Sequence, residues 1–176
     1  MTKNKKGFTI IEVVLVLAIA GLIFLMVFIA LPALQRSQRN TRRRQDMARI
    51  LSAFTEYESN NSGNVPTTND QLDNFVNKYV NGGGTQNRNG NGGCYGDQFC
   101  DPDGSPYQLE YWGNQDDTDD TPFDDSSFAE AEHMIAYFTK ASCSSTEGRA
   151  EYSSGARDIA ILYMLEGGAI YCGDNQ

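Results

Sequence analysis

Four cysteines, one histidine, a dense acidic run and a glutamate inside an apolar stretch are the residues here whose types could do chemistry. Cys94, Cys100, Cys143 and Cys172 are spaced C-x5-C and C-x28-C, which fits no common zinc site. An even number of cysteines in a small exported domain favours disulfides, and four cysteines allow three pairings. His133, beside Glu132, is the only imidazole and reads as a strand-edge residue. The chain has no G-x-S-x-G, no H-E-x-x-H and no phosphate-loop lysine, so an anchored exported enzyme is a remote reading and none is expected. Asp116, Asp117, Asp119 and Asp120, followed by Asp124 and Asp125, are the one candidate for calcium, a cation that takes six to eight oxygens. The EF-hand spacing is missing, and a solvated acidic loop is the competing reading, so no cofactor is expected unless calcium sits there.

Glu12 is the more informative acid. It lies inside Phe8–Leu31, a stretch of 24 residues in which only Thr9, Glu12 and Gly21 are not plainly hydrophobic. As a helix this stretch rises about 36 Å, enough to cross a hydrocarbon core of about 30 Å. An ionisable group in such a helix costs about 2.5–3.5 kcal/mol on insertion scales, which calls for a partner. Lys3, Lys5 and Lys6 precede an abrupt boundary at Gly7-Phe8. The apolar run is too long for a secretory signal core of roughly 7–15 residues, and no small-residue cleavage site follows it. Its plain reading is a single-pass anchor.

The stretch KKGFTIIEVVLVLAIAGLIFLMVFIALP resembles the class III leader and first helix of type IV pilins and their pseudopilin relatives. The glycine, Phe8, Thr9 and Glu12 fall at that family's places. The resemblance implies that a membrane-embedded prepilin peptidase cuts after Gly7 and N-methylates Phe8, and that Glu12 serves subunit assembly. Cleavage would free an α-amine about one turn from Glu12, making an opposite-charge pair possible within or between subunits. Helix dipole and lipid headgroups are the alternative partners. Each exposed large apolar side chain forfeits about 1.5–3 kcal/mol, so outside the bilayer this helix must pack on copies of itself. The leader lysines would crowd in that bundle and must leave first.

Charge is distributed unevenly. The whole chain carries −9, whereas residues 51–176 hold 21 acids and five bases, a net of −16. A surface that acidic repels nucleic acid. Arg36, Arg39, Arg42, Arg43, Arg44 and Arg49 form a basic belt containing one acid, Asp46. The belt is open to three readings: a solvated collar at the headgroups, a site for anionic lipid, or a contact for acidic domains of neighbouring subunits. Counting positive residues beside the apolar run would by itself leave the C-terminal domain in the cytoplasm; the cysteines and the resemblance put it outside.

No firm stop signal precedes Ser59–Gly63, so one helix is expected over residues 8–58, with a bend at Pro32. Met47, Ile50, Leu51, Phe54 and Tyr57 share a face that should cover a small sheet. Thr68-x-x-Gln71 has capping-box spacing and opens a short helix with Leu72, Phe75, Val76, Tyr79 and Val80 on one side. Asn81–Gly93 reads as a glycine-rich surface loop. Asp101-Pro102-Asp103-Gly104-Ser105-Pro106-Tyr107 is a turn by composition and resembles a stretch of major pseudopilins. Strands are expected near Tyr107–Trp112, His133–Lys140, Arg157–Leu165 and Ala169–Cys172, the last two joined at Glu166–Ala169.

The expected fold class is therefore α+β: a long N-terminal helix whose second half packs on a small antiparallel sheet, matching the pilin fold. The expected divisions are 1–7 leader, 8–34 membrane and filament-core helix, 35–60 amphipathic helix and 61–176 globular head. Of the three pairings, the favoured one is Cys94–Cys100, which would close a short loop, with Cys143–Cys172, which would tie the second strand's end to the last strand and resembles the C-terminal disulfide loop of many pilins. The resemblance implies a structural subunit of an extracellular type IV pilus serving adhesion, twitching motility or DNA uptake. The alternative is a pseudopilin of a type II secretion-like system. Implied partners are copies of itself, other pilins, prepilin peptidase, an inner-membrane platform protein and an assembly ATPase. The subunit would wait in the cytoplasmic membrane with its head outside.

Overall fold

The computed structural model describes residues 7–81, 94, 99–114, 133–145 and 148–176. One helix, α1, runs Ile10–Asn60 with Pro32 inside it. It continues two residues past the expected end because the chain turns out only at Gly63. There a φ of +81° suits glycine, and the Gly63 N–H donates to the Glu58 carbonyl at 2.8 Å. The chain forms two compact units, Met1–Gln38 and Arg39–Gln176.

In the first unit every large apolar side chain from Phe8 to Leu34 is exposed, from 44% at Leu31 to 89% at Phe8. A span of this length and hydropathy, with none of it buried, has the dimensions of a membrane-crossing helix.

The second unit has a core organised on both faces of one sheet. Met47, Ile50, Ala53, Phe54 and Tyr57 of α1 are buried at helical spacing, while Leu51 lies at the margin. Helix α2, Asn69–Phe75, starts with the expected capping box: Thr68 accepts from the Gln71 N–H and Gln71 accepts from the Thr68 N–H. It runs on into a π-helical turn, Val76–Val80. Six strands follow: β1 (Gln108–Asn114), β2 (Met134–Thr139), β3 (Ala141–Cys143), β4 (Ala150–Tyr152), β5 (Ile159–Met164) and β6 (Ile170–Asp174). The main sheet has the order β1-β2-β5-β6, and β3-β4 form a separate pair.

The expected strands β1, β2, β5 and β6 are present, but β1 and β2 are parallel rather than antiparallel. The chain between them, residues 115–133, is long enough for a crossover connection, which parallel pairing requires. The strands β3 and β4, with three residues each, were not expected, since so short a run carries no readable period. Along β2 all six residues are buried, and along β5 five of six. Ile135, Tyr137, Ile159, Ile161 and Tyr163 face α1, while Met134, Ala136, Phe138, Ala160 and Leu162 join a second cluster with Ala141 and Ala150. That double burial explains why both strands read as continuous apolar runs.

Phe54 is central to this packing. It is fully buried, stacks on Phe75 at 4.4 Å between ring centroids and meets Tyr137 at 4.8 Å. Phe54→Ala should cost about 3–5 kcal/mol, read as a lowered denaturant midpoint in detergent-solubilised protein. A shift below about 1 kcal/mol would show that the helix does not supply this core.

The four cysteines form two disulfides. Cys94 pairs with Cys100, and Cys143 on β3 pairs with Cys172 on β6.

Candidate functional site

Gly7 and Phe8 are exposed, and a methyl added at Gly7 would meet no atom within 4 Å. The peptide between them is thus open to a protease. Thr9 immediately precedes α1, and Glu12 is the third helical residue. The Thr9 N–H and Thr9 hydroxyl both donate to Glu12 Oε2 at 2.8 Å. The backbone half of this arrangement is the return arm of a capping box, satisfying a donor that a helix start otherwise leaves unpaired. Glu12 therefore has a partner inside its own chain, one that sequence reasoning missed. The Thr-x-x-Glu spacing ahead of an apolar run was the available signal. Glu12 Oε1 has no hydrogen-bond partner among the described residues.

Among the described residues the arginine belt divides into members held by hydrogen bonds or ion pairs and members that are not. Arg43 is buried, and its Nε and Nη2 donate to Asp101 Oδ2 and Oδ1 at 2.6 and 2.7 Å. Arg39 forks onto Glu166, with Nη2 to Oε2 at 2.8 Å, and Arg43 Nη1 lies 3.2 Å from Glu166 Oε1. Asn40 completes the attachment by accepting from the Glu166 N–H at 3.0 Å and donating to its carbonyl at 3.2 Å. Arg49 donates to the Val80 carbonyl at 2.6 Å and lies 5.7 Å from the Phe99 ring centre. Arg36, Arg42 and Arg44 are exposed and make no hydrogen bond or ion pair to other described residues.

The carboxyl of Asp101 feels two opposing effects. Burial pushes it up, but hydrogen bonds from Arg43, Tyr163 and the Asp103 N–H bring it below the ordinary carboxylate range. Hydrogen bonding from Arg39 likewise lowers Glu166. Burial raises Asp46, although the Tyr107 hydroxyl donates to it at 3.0 Å.

Asp101, Asp103 and His133 bring three potential ligand atoms within 4.8 Å of one another. The group does not suit a cation. Asp101 already accepts four hydrogen bonds: Arg43 Nε and the Tyr163 hydroxyl on Oδ2, Arg43 Nη2 and the Asp103 N–H on Oδ1. These fill its roughly four lone-pair positions. The imidazole also splits its nitrogens, Nδ1 lying 3.9 Å from Asp101 and Nε2 3.4 Å from Asp103, so one metal could not meet both carboxylates along these directions. His133 lies just before β2 with φ +67°, and its carbonyl accepts from the Gln108 N–H. A cavity of about 290 Å³ opens beside it, and among the described residues its lining has no serine, threonine, cysteine or lysine. The acidic candidates Asp116, Asp117, Asp119 and Asp120, the leader lysines and most of the glycine-rich loop lie outside the described residues.

Residues 2–28 match the family model described as the prokaryotic N-terminal methylation motif. With the long apolar helix, this prepilin-type motif supports the type IV pilin and pseudopilin class. It implies processing by prepilin peptidase and assembly into pilus-type polymers, and supports a membrane anchor with the C-terminal domain outside. No curated protein and no solved structure matches the chain.

Proposed function

We propose that the chain is a structural subunit of a type IV pilus, trimmed after Gly7, methylated on Phe8 and polymerised through its first helix. The observation that carries this reading is a methylation motif on a helix whose large apolar side chains are all exposed from Phe8 to Leu34. Water does not tolerate such a surface, and a bilayer or a bundle of identical helices covers it. The partners are then copies of itself and other pilins, with a platform protein and ATPase supplying the work of extraction from the membrane. Adhesion, twitching and DNA uptake are the roles such a fibre serves.

Intact mass of the extracellular form tests the proposal. The species should lack residues 1–7, carry one added methyl and be four hydrogens lighter for its two disulfides. A secreted form that keeps the leader lysines would end it.

The pseudopilin reading draws support from the Asp101–Tyr107 turn. It is closed by Gly104 at φ +94° and by the Asp101 N–H donating to the Ser105 carbonyl at 2.9 Å. Electron microscopy of intact cells separates the two readings, since a pseudopilin piston produces no long surface fibre.

A further inference from the structure

The basic belt leaves Arg44 exposed beside a recess. Three arginines of the belt are engaged inside the head, so their charge is spent on Asp101, Glu166 and the Val80 carbonyl. Arg44 is not. It rims a cavity of about 340 Å³ walled by Leu165, Ile170, Tyr171 and the Cys143–Cys172 disulfide. The recess is of the size that holds a small organic group, roughly 300 Å³ or more. An apolar floor with one guanidinium at the rim asks for an occupant with an apolar group next to an anion.

The chain itself carries that order once in its densest acidic stretch: Phe123-Asp124-Asp125. We infer that the recess beside Arg44 receives Phe123-Asp124-Asp125 of a second copy, the phenyl ring in the apolar pocket and a carboxylate on the guanidinium. This rests on the filament reading, which brings many copies together. It gives the belt and the strongly acidic head a specific meeting point rather than a diffuse attraction. The segment lies outside the described residues, and its docking on a neighbour is argued from its sequence charge and from the lining of the recess.

The test places p-benzoylphenylalanine at position 123 in otherwise intact filaments and irradiates them. Covalent dimers and longer ladders are expected, with cross-linked peptides mapping to residues 143–172. Arg44→Glu should lower the cross-linked fraction several-fold with little change in the melting temperature of the head, because Arg44 is exposed and makes no hydrogen bond or ion pair to another described residue. Adding Asp124→Lys and Asp125→Lys to Arg44→Glu should restore it. Cross-links confined to single chains, or mapping elsewhere in normal filaments, overturn the inference and leave the filament reading standing. Failure of the wild-type chain to form any filament removes both.

Discussion

Arg43→Ala is expected to destabilise the head by about 3–5 kcal/mol, because it strips a buried carboxylate of its counter-charge. The Asp101 side chain is completely buried and that of Arg43 is 5% exposed, so water cannot replace the lost partner. Asp101 would keep only the Tyr163 hydroxyl and the Asp103 N–H, and Glu166 would lose one of its two cations. Against a total stability of about 5–15 kcal/mol, that loss removes from about a fifth to all of the margin. Urea titration of the purified protein checks it, and a shift under about 1 kcal/mol would mean that the pair is not closed in solution. The same pair sets an acid response. The carboxyls of Asp101 and Glu166 lie lower in the folded than in the unfolded chain, so their stabilisation is complete above the ordinary carboxylate range and lost as pH falls through the folded values. Asp46 is shifted the other way and partly offsets that loss. Arg43→Ala should therefore flatten the acid limb of the stability curve as well as lower it.

Glu12→Leu should leave processing and membrane insertion intact while reducing filaments by two to three orders of magnitude. Thr9 occupies Oε2, and Oε1 accepts no hydrogen bond from any other described residue, so one oxygen is open to a cation. On the proposed processing, the Phe8 amine, which methylation would leave protonated, is the candidate cation once residues 1–7 are removed. Losing one member of an ion pair in an apolar bundle costs about 3–5 kcal/mol, and each 1.4 kcal/mol is a factor of ten in association. Immunoblots of sheared filaments against the membrane fraction measure the ratio. Glu12→Gln separates the two functions of the side chain, since it retains an acceptor for Thr9 and loses the charge. Wild-type yields from Glu12→Leu would show that the charge is dispensable for assembly.

Much of the chain was legible because local rules governed it. The apolar run, Gly7-Phe8, Glu12, the helix stop near Gly63 and the capping box at Thr68 each depend on residues a few positions apart. The strands β2 and β5 were visible as apolar runs for the same reason. The parallel register of β1 on β2 was not, since nothing within either strand records which way its neighbour runs. The sorting of the arginines was hidden for a related reason. Arg43 meets Asp101 58 residues away and Arg39 meets Glu166 127 residues away, so six similar side chains acquire different roles only after the head closes. Thr9 holding Glu12 rests on a Thr-x-x-Glu spacing within one helical turn, a local signal masked by the apolar residues around it.

The attachment of Glu166 to Arg39, Asn40 and Arg43 has a mechanical consequence. If the chain stands in a fibre under traction, as proposed, load travelling along α1 would pass into the hairpin between β5 and β6 through several bonds in parallel. Because β6 is also bonded to β3 by Cys143–Cys172, the last strand cannot be peeled away without drawing β3 along with it. The head is thereby built to yield late when the strand is tugged.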